Sequence, residues 1–134
     1  MTKEKKKFLQ LKSNDVCQIY ELLLRYSGKY FPLTKESRNK IDSIVGSING
    51  RFYDRQIYET NELKITAYLY FLIKDHPFTD GNKRAAVLCF ITLCTINKLD
   101  LKIEKRELDN LAIYIEKTRD DHQKVIKAIS ALLF

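Results

Sequence analysis

Apolar residues recur along this chain at the spacing of helices. Val16, Ile19, Tyr20 and Leu23 fall at i, i+3, i+4 and i+7, with Ser13 and Asn14 ahead of them as N-cap residues, and the pattern stops at Gly28. Ile41, Ile44, Val45 and Ile48 repeat the spacing behind Thr34, a second cap. Asn49-Gly50 then supplies residues that tolerate a left-handed conformation at the helix end. RFYDRQIY, residues 51 to 58, breaks the period; its alternation of aromatic and polar residues around Asp54-Arg55 predicts a short hairpin or extended flap, without an Asn-Gly turn to support it. Thr60 caps a third helix through NELKITAYLYFLIKD, apolar on nearly every face from Ile65 to Ile73. A fourth runs from about Asn82 to Asn97 and is apolar all round from Ala85 to Cys94. Such helices must be buried. Leu108, Leu111, Ala112 and Ile115 mark a fifth helix, and Val125, Ala128, Ile129 and Leu132 a sixth, begun by Asp120-Asp121. The fold class is mainly α: a bundle of about six helices with a small β element before Thr60.

Composition narrows the picture without changing it. At 134 residues the chain reads as one domain, 1 to 134, with a core that needs no disulfide or structural metal, and residues 1 to 12 read as a charged, mobile tail. The cationic start is followed by no apolar stretch of the kind a secretion signal carries, and the apolar runs 65 to 73 and 85 to 94 are about half a membrane span. A cytoplasmic protein with no membrane partner is expected. Cys17, Cys89 and Cys94 are an odd set with no C-x-x-C pair and read as reduced, packed thiols. The net charge is +7, but the cations are spread along the chain, so charge alone does not call for nucleic acid.

The chemistry concentrates in HPFTDGNKR, residues 76 to 84, between the two most apolar helices. Pro77 disfavours helix at the residue before it, which places His76 at the end of the third helix and at the mouth of the loop. Gly81 permits an unusual backbone turn, and the amides around Gly81, Asn82 and Lys83 open the fourth helix and point at an anion. Arg84 adds a bidentate fork, Lys83 a point charge, and Asp80 a carboxylate able to hold a Mg²⁺ that bridges phosphate oxygens. Phe78 is the apolar exception and is expected to be a buried anchor. Singly, these residues also suit a helix cap, a turn and a solvated pair of cations. Together they put charge where an idle loop has least reason to carry it. His122, beside Asp120 and Asp121, reads as a surface residue, and Tyr58, Tyr68 and Tyr70 as core or boundary aromatics. Neither a P-loop nor a G-x-G-x-x-G fingerprint is present, and two histidines with three cysteines make no zinc spacing.

The nine residues resemble the motif of the Fic and Doc (Fido) family, H-P-F-x-[DE]-G-N-[GK]-R, at every position. QIYET followed by LKITAYLYFLIKD resembles the approach to that motif in Doc-like (death-on-curing) members, and the likeness extends from about residue 10 to the C-terminus. It implies a helical bundle with a β-hairpin flap beside the active-site loop, and a transferase that uses ATP and Mg²⁺. By the same resemblance His76 deprotonates a hydroxyl of a target protein, Asp80 holds Mg²⁺, Gly81 and Asn82 form an anion hole, and Arg84 holds a further phosphate. The flap, about Arg51, Phe52, Tyr53 and Asp54, would dock the target by strand addition. Adenylyl-transferring Fic proteins have Gly where this chain has Lys83. The Doc toxin has Lys and resembles a kinase, with the nucleotide held the other way round, so Lys83 implies phosphoryl transfer; with no self-inhibiting [ST]-x-x-x-E-[GN] motif in the sequence, a toxin of this kind would be restrained by an antitoxin chain. Pro77 and Gly81 resemble the Fic form and keep adenylyl transfer (AMPylation) as the alternative. A helical binding module with an inactive loop is the alternative from another class, to be recognised by salt-steep affinity for nucleic acid and no nucleotide binding.

Overall fold

The computed structural model describes residues 7–29 and 32–134, and of Phe52 only the backbone. In chain order the elements are α1 (Ser13–Ser27), α2 (Lys35–Asn49), β1 (Arg51–Phe52), β2 (Arg55–Gln56), α3 (Asn61–Lys74), α4 (Asn82–Ile96), α5 (Lys105–Lys117) and α6 (His122–Leu133). The mainly helical bundle with one hairpin is the architecture the hydrophobic pattern predicts.

α3 is the centre. It packs on α2, α4, α5 and α6, most extensively on α4, and Ile65, Ala67, Tyr68, Leu69, Leu72 and Ile73 are fully buried. Each large apolar side chain buried this way contributes about 1.5–3 kcal/mol. Thr66 is buried too, and its hydroxyl donates to the Glu62 carbonyl at 2.8 Å, so the helix carries no unsatisfied polar group inward. Tyr68 donates its hydroxyl to the Leu11 carbonyl at 2.7 Å and accepts from Asn49 Nδ2 at 2.9 Å; burial pushes its pKa up to about 12. All three cysteines are free and buried, as read, and burial pushes the thiols of Cys89 and Cys94 up to about 12.

Thr34 and Thr60 cap α2 and α3, accepting from the amides of Ser37 and Leu63, and Asp121 caps α6 by accepting from Lys124. The start of α1 differs from expectation. Its N-cap is Lys12, not Ser13 or Asn14, because the Asp15 carboxylate reaches back to accept the Lys12 amide at 2.9 Å. Gly50 also differs: it is extended, at φ −74°, and a Cβ there would lie 3.0 Å from the Gly46 carbonyl, so close approach demands the glycine. Left-handed geometry falls later, at Tyr53 (φ 50°) and Asp54 (φ 62°), where it turns the hairpin that pairs Arg51 with Gln56 and Phe52 with Arg55. Positive φ at both turn residues fits the right-handed twist of strands joined by so short a loop.

The described part of the expected N-terminal tail, residues 7 to 12, packs on the body. Residues 1 to 6 lie outside the described residues, but Leu11 is buried, Phe8 packs on the core, and Leu9 exchanges two 2.9 Å hydrogen bonds with the Asn97 side chain. Burial of Leu11, packing of Phe8 and the backbone bonds of Leu9 bind this stretch to the body. Among the described residues no helix is long and apolar enough to cross a membrane.

Candidate active site

α3 ends at Lys74, and its C-cap, Asp75, donates its amide to the Phe71 carbonyl at 2.9 Å. His76 follows in the left-handed region, φ 44°, with its side chain exposed. An L-residue there is strained by about 1–2 kcal/mol, and only firm anchoring of its neighbours keeps it.

That anchoring comes next in the chain. Pro77 and Phe78 are buried, and the Phe78 ring stacks on Tyr20 of α1 with centroids 3.8 Å apart and planes within 6°. The Tyr20 hydroxyl donates to the Asp80 carbonyl at 3.0 Å, so one side chain grips the loop at two points. Asn82 closes it from the other side. Its Oδ1 accepts the Phe78 amide at 2.9 Å while its Nδ2 donates to the Phe78 carbonyl at 3.0 Å. Gly81 caps α4 at φ 78°. A Cβ there would meet Tyr20 and Leu23 only at 3.9 Å, so conformation rather than space selects the glycine.

The result is a tight turn with its apolar residues inward and the start of α4 outward. Asn82, Lys83 and Arg84 are the first helical residues, so their amides have no acceptor within the helix, and the helix dipole adds positive charge where they point. Arg84 is exposed. Between α4 and α5 lies a cleft of about 440 Å³ with an apolar wall of Leu23, Val87, Leu88, Ile91, Ala112 and Ile113, and with Lys83, Arg84 and the paired Lys105 and Asp109 as its charged lining. An apolar wall beside cations suits a ligand with a flat apolar part and an anionic part.

Asp80 and Lys83 are already paired. Lys29 Nζ lies 3.7 Å from Asp80 Oδ2, a loose contact with both groups more than half exposed. Lys83 Nζ lies 2.7 Å from Glu116 Oε2 on α5. The hydrogen bond from Lys83 holds the Glu116 carboxyl below its ordinary pKa, and the charges of Lys83, His76 and Lys117 act in the same direction. Among the described residues no three His, Cys, Asp or Glu side chains cluster as a metal site. Any metal ion at Asp80 would therefore need most of its ligands from elsewhere than these side chains.

His76, Phe78, Asp80, Gly81, Asn82, Lys83 and Arg84 are thus placed on one turn. Arg51, Tyr53 and Asp54 are exposed on the hairpin, and the Phe52 side chain lies outside the described atoms. His122, the first residue of α6, is half exposed beside Asp121, as a surface residue should be. Tyr20, Lys29 and Glu116 were not read as part of the site. A tyrosine on the inward stripe of a helix does need a partner for its hydroxyl, which was a usable signal. Nothing local marks Glu116, 33 positions beyond its lysine.

The chain belongs to the Fic/DOC family, whose model matches residues 10–94. The match takes in α1, α2, the hairpin, α3, the loop and most of α4, while α5, α6 and Glu116 lie beyond it. Searches of curated proteins and of solved structures return no match.

Proposed function

We propose that this protein is an ATP-dependent, Doc-like transferase of the Fic type that phosphorylates a hydroxyl side chain of a target protein. The observation that carries the reading is His76, exposed and held in a left-handed conformation at one end of a turn whose other end is the open amide start of α4. The His76 imidazole takes the hydroxyl proton; the freed oxygen attacks the terminal phosphorus; the bond from that phosphorus to the bridging oxygen breaks, and ADP leaves. The amides of Asn82 and Lys83 and the Arg84 guanidinium hold phosphate oxygens, Gly81 lets them approach, and the apolar cleft beside them takes the base. Asp80, released from Lys29, would hold a Mg²⁺ whose charge offsets that of the phosphates. The target's extended segment lies along the edge of the Arg51–Asp54 hairpin, the setting is the cytoplasm, and restraint by an antitoxin chain follows from the Doc-like reading.

One observation favours adenylyl transfer as the second reading. The Lys83 ammonium already shares its charge with Glu116, so the net charge it adds beside the α4 amides is closer to that of the Gly in adenylyl-transferring members than a free lysine's would be. Labelled ATP decides between them. A lysate incubated with the protein should gain label from the γ position, and His76→Ala should lose more than about a hundredfold of that labelling without a shift in melting temperature. Label from the α position alone removes the kinase reading; label from neither removes the transferase.

A further inference from the structure

Lys83 and Glu116 join the two walls of the apolar cleft, since Lys83 is the second residue of α4 and Glu116 stands in the last turn of α5. That turn is rigid independently of Lys83. Ile115 is fully buried, Thr118 is buried, and the Thr118 carbonyl accepts a hydrogen bond from Lys74 Nζ at the end of α3. Lysines from both helices that flank the loop therefore reach the same helix end, where a cation also meets the negative end of the α5 dipole. Lys74 docks on a backbone carbonyl. Lys83 docks on a carboxylate, and that difference matters.

An ammonium carries three N–H donors, and a lysine stem left to itself samples many rotamers. At 2.7 Å from Glu116 Oε2 the Lys83 ammonium has one donor committed and two left over, at a fixed place beside Arg84 and the cleft. Lysine–glutamate pairs in protein kinases place a lysine on nucleotide phosphates in this way. We propose that Glu116 is a positioning residue for the nucleotide: it holds Lys83 so that the remaining donors meet phosphate oxygens seated at the start of α4. The inference rests on the transferase reading and adds to it a residue outside the stretch that the family model covers. A pair present only for stability would act on folding and not on phosphate recognition, because partly exposed ion pairs contribute little to stability.

The test is calorimetric titration of the full chain with a non-hydrolysable ATP analogue in Mg²⁺, and separately with adenosine, alongside thermal melts. Glu116→Gln should weaken the analogue roughly five- to tenfold, as expected for a misplaced charge-assisted hydrogen bond, and leave adenosine binding and the melting temperature unchanged. In a Lys83→Met background the same substitution should change analogue affinity less than about twofold, since the carboxylate acts only through the lysine. Binding by Glu116→Gln as tight as the parent's, or tighter, overturns the positioning role and leaves the transferase reading standing. So does weakening that persists without Lys83 or that extends to adenosine. Failure of parent and variants alike to bind the analogue overturns both.

Discussion

Asn82 does with a side chain what a paired strand does with its backbone. Its amide both accepts from Phe78 N–H and donates to Phe78 C=O, closing the turn that carries His76. The motif made Asn82 legible as a phosphate-site residue, yet its side chain faces into the loop and only its backbone opens α4. Sequence alone does not distinguish those uses of one residue, because either needs an Asn after a left-handed glycine. Asn82→Ala should cost about 2 kcal/mol, two net hydrogen bonds. Asn82→Asp, which keeps the acceptor for Phe78 N–H and loses the donor, should cost about half as much. Denaturant midpoints measure both; an Asn82→Asp variant as stable as the parent would show that the Phe78 carbonyl does not need its partner, and one no more stable than Asn82→Ala that the Phe78 amide does not need its acceptor.

At the level of elements, helix positions and most caps were readable because they rest on local rules: Thr34, Thr60 and Asp121 cap where expected. The errors arose where two local rules competed. Asp15 outbid Ser13 and Asn14 for the start of α1, and Gly50 was placed by contact with Gly46 and not by handedness. The hairpin was readable as a break in period, but its turn, Tyr53-Asp54, contains none of the usual glycine. Asp54→Gly should therefore stabilise it by about 0.5–1 kcal/mol, since glycine adopts φ 62° without strain. Slower amide exchange at Ile57, whose N–H donates to the Gly50 carbonyl across the hairpin, with no slowing at α6, would register the gain. Thr60→Ala, one residue before α3, should cost about 1 kcal/mol by leaving the Leu63 amide without its acceptor.

For the whole molecule, periodicity told which faces are buried but not what they meet, so α3 and α4 were expected to be buried while Tyr20 on Phe78 and Lys83 on Glu116 were not foreseen. Both are contacts between elements far apart in sequence, and no spacing rule reaches that far. Burial disfavours the thiolates of Cys89 and Cys94, whose pKa values of about 12 leave almost no reactive form at pH 8. Their alkylation should follow global opening, with the rate rising along the denaturation curve; fast labelling of either in native buffer would contradict that core. The chain has no tryptophan, so its near-ultraviolet optical activity comes mainly from eight tyrosines, and one of these lies parallel to a phenylalanine ring at 3.8 Å. Transitions of rings stacked so closely couple, and a rigid, asymmetric setting makes the coupling visible as circular dichroism. The difference spectrum between the parent and Phe78→Leu should isolate that signal, which makes the seating of the turn that carries His76 something that can be watched by light alone, with no ligand added.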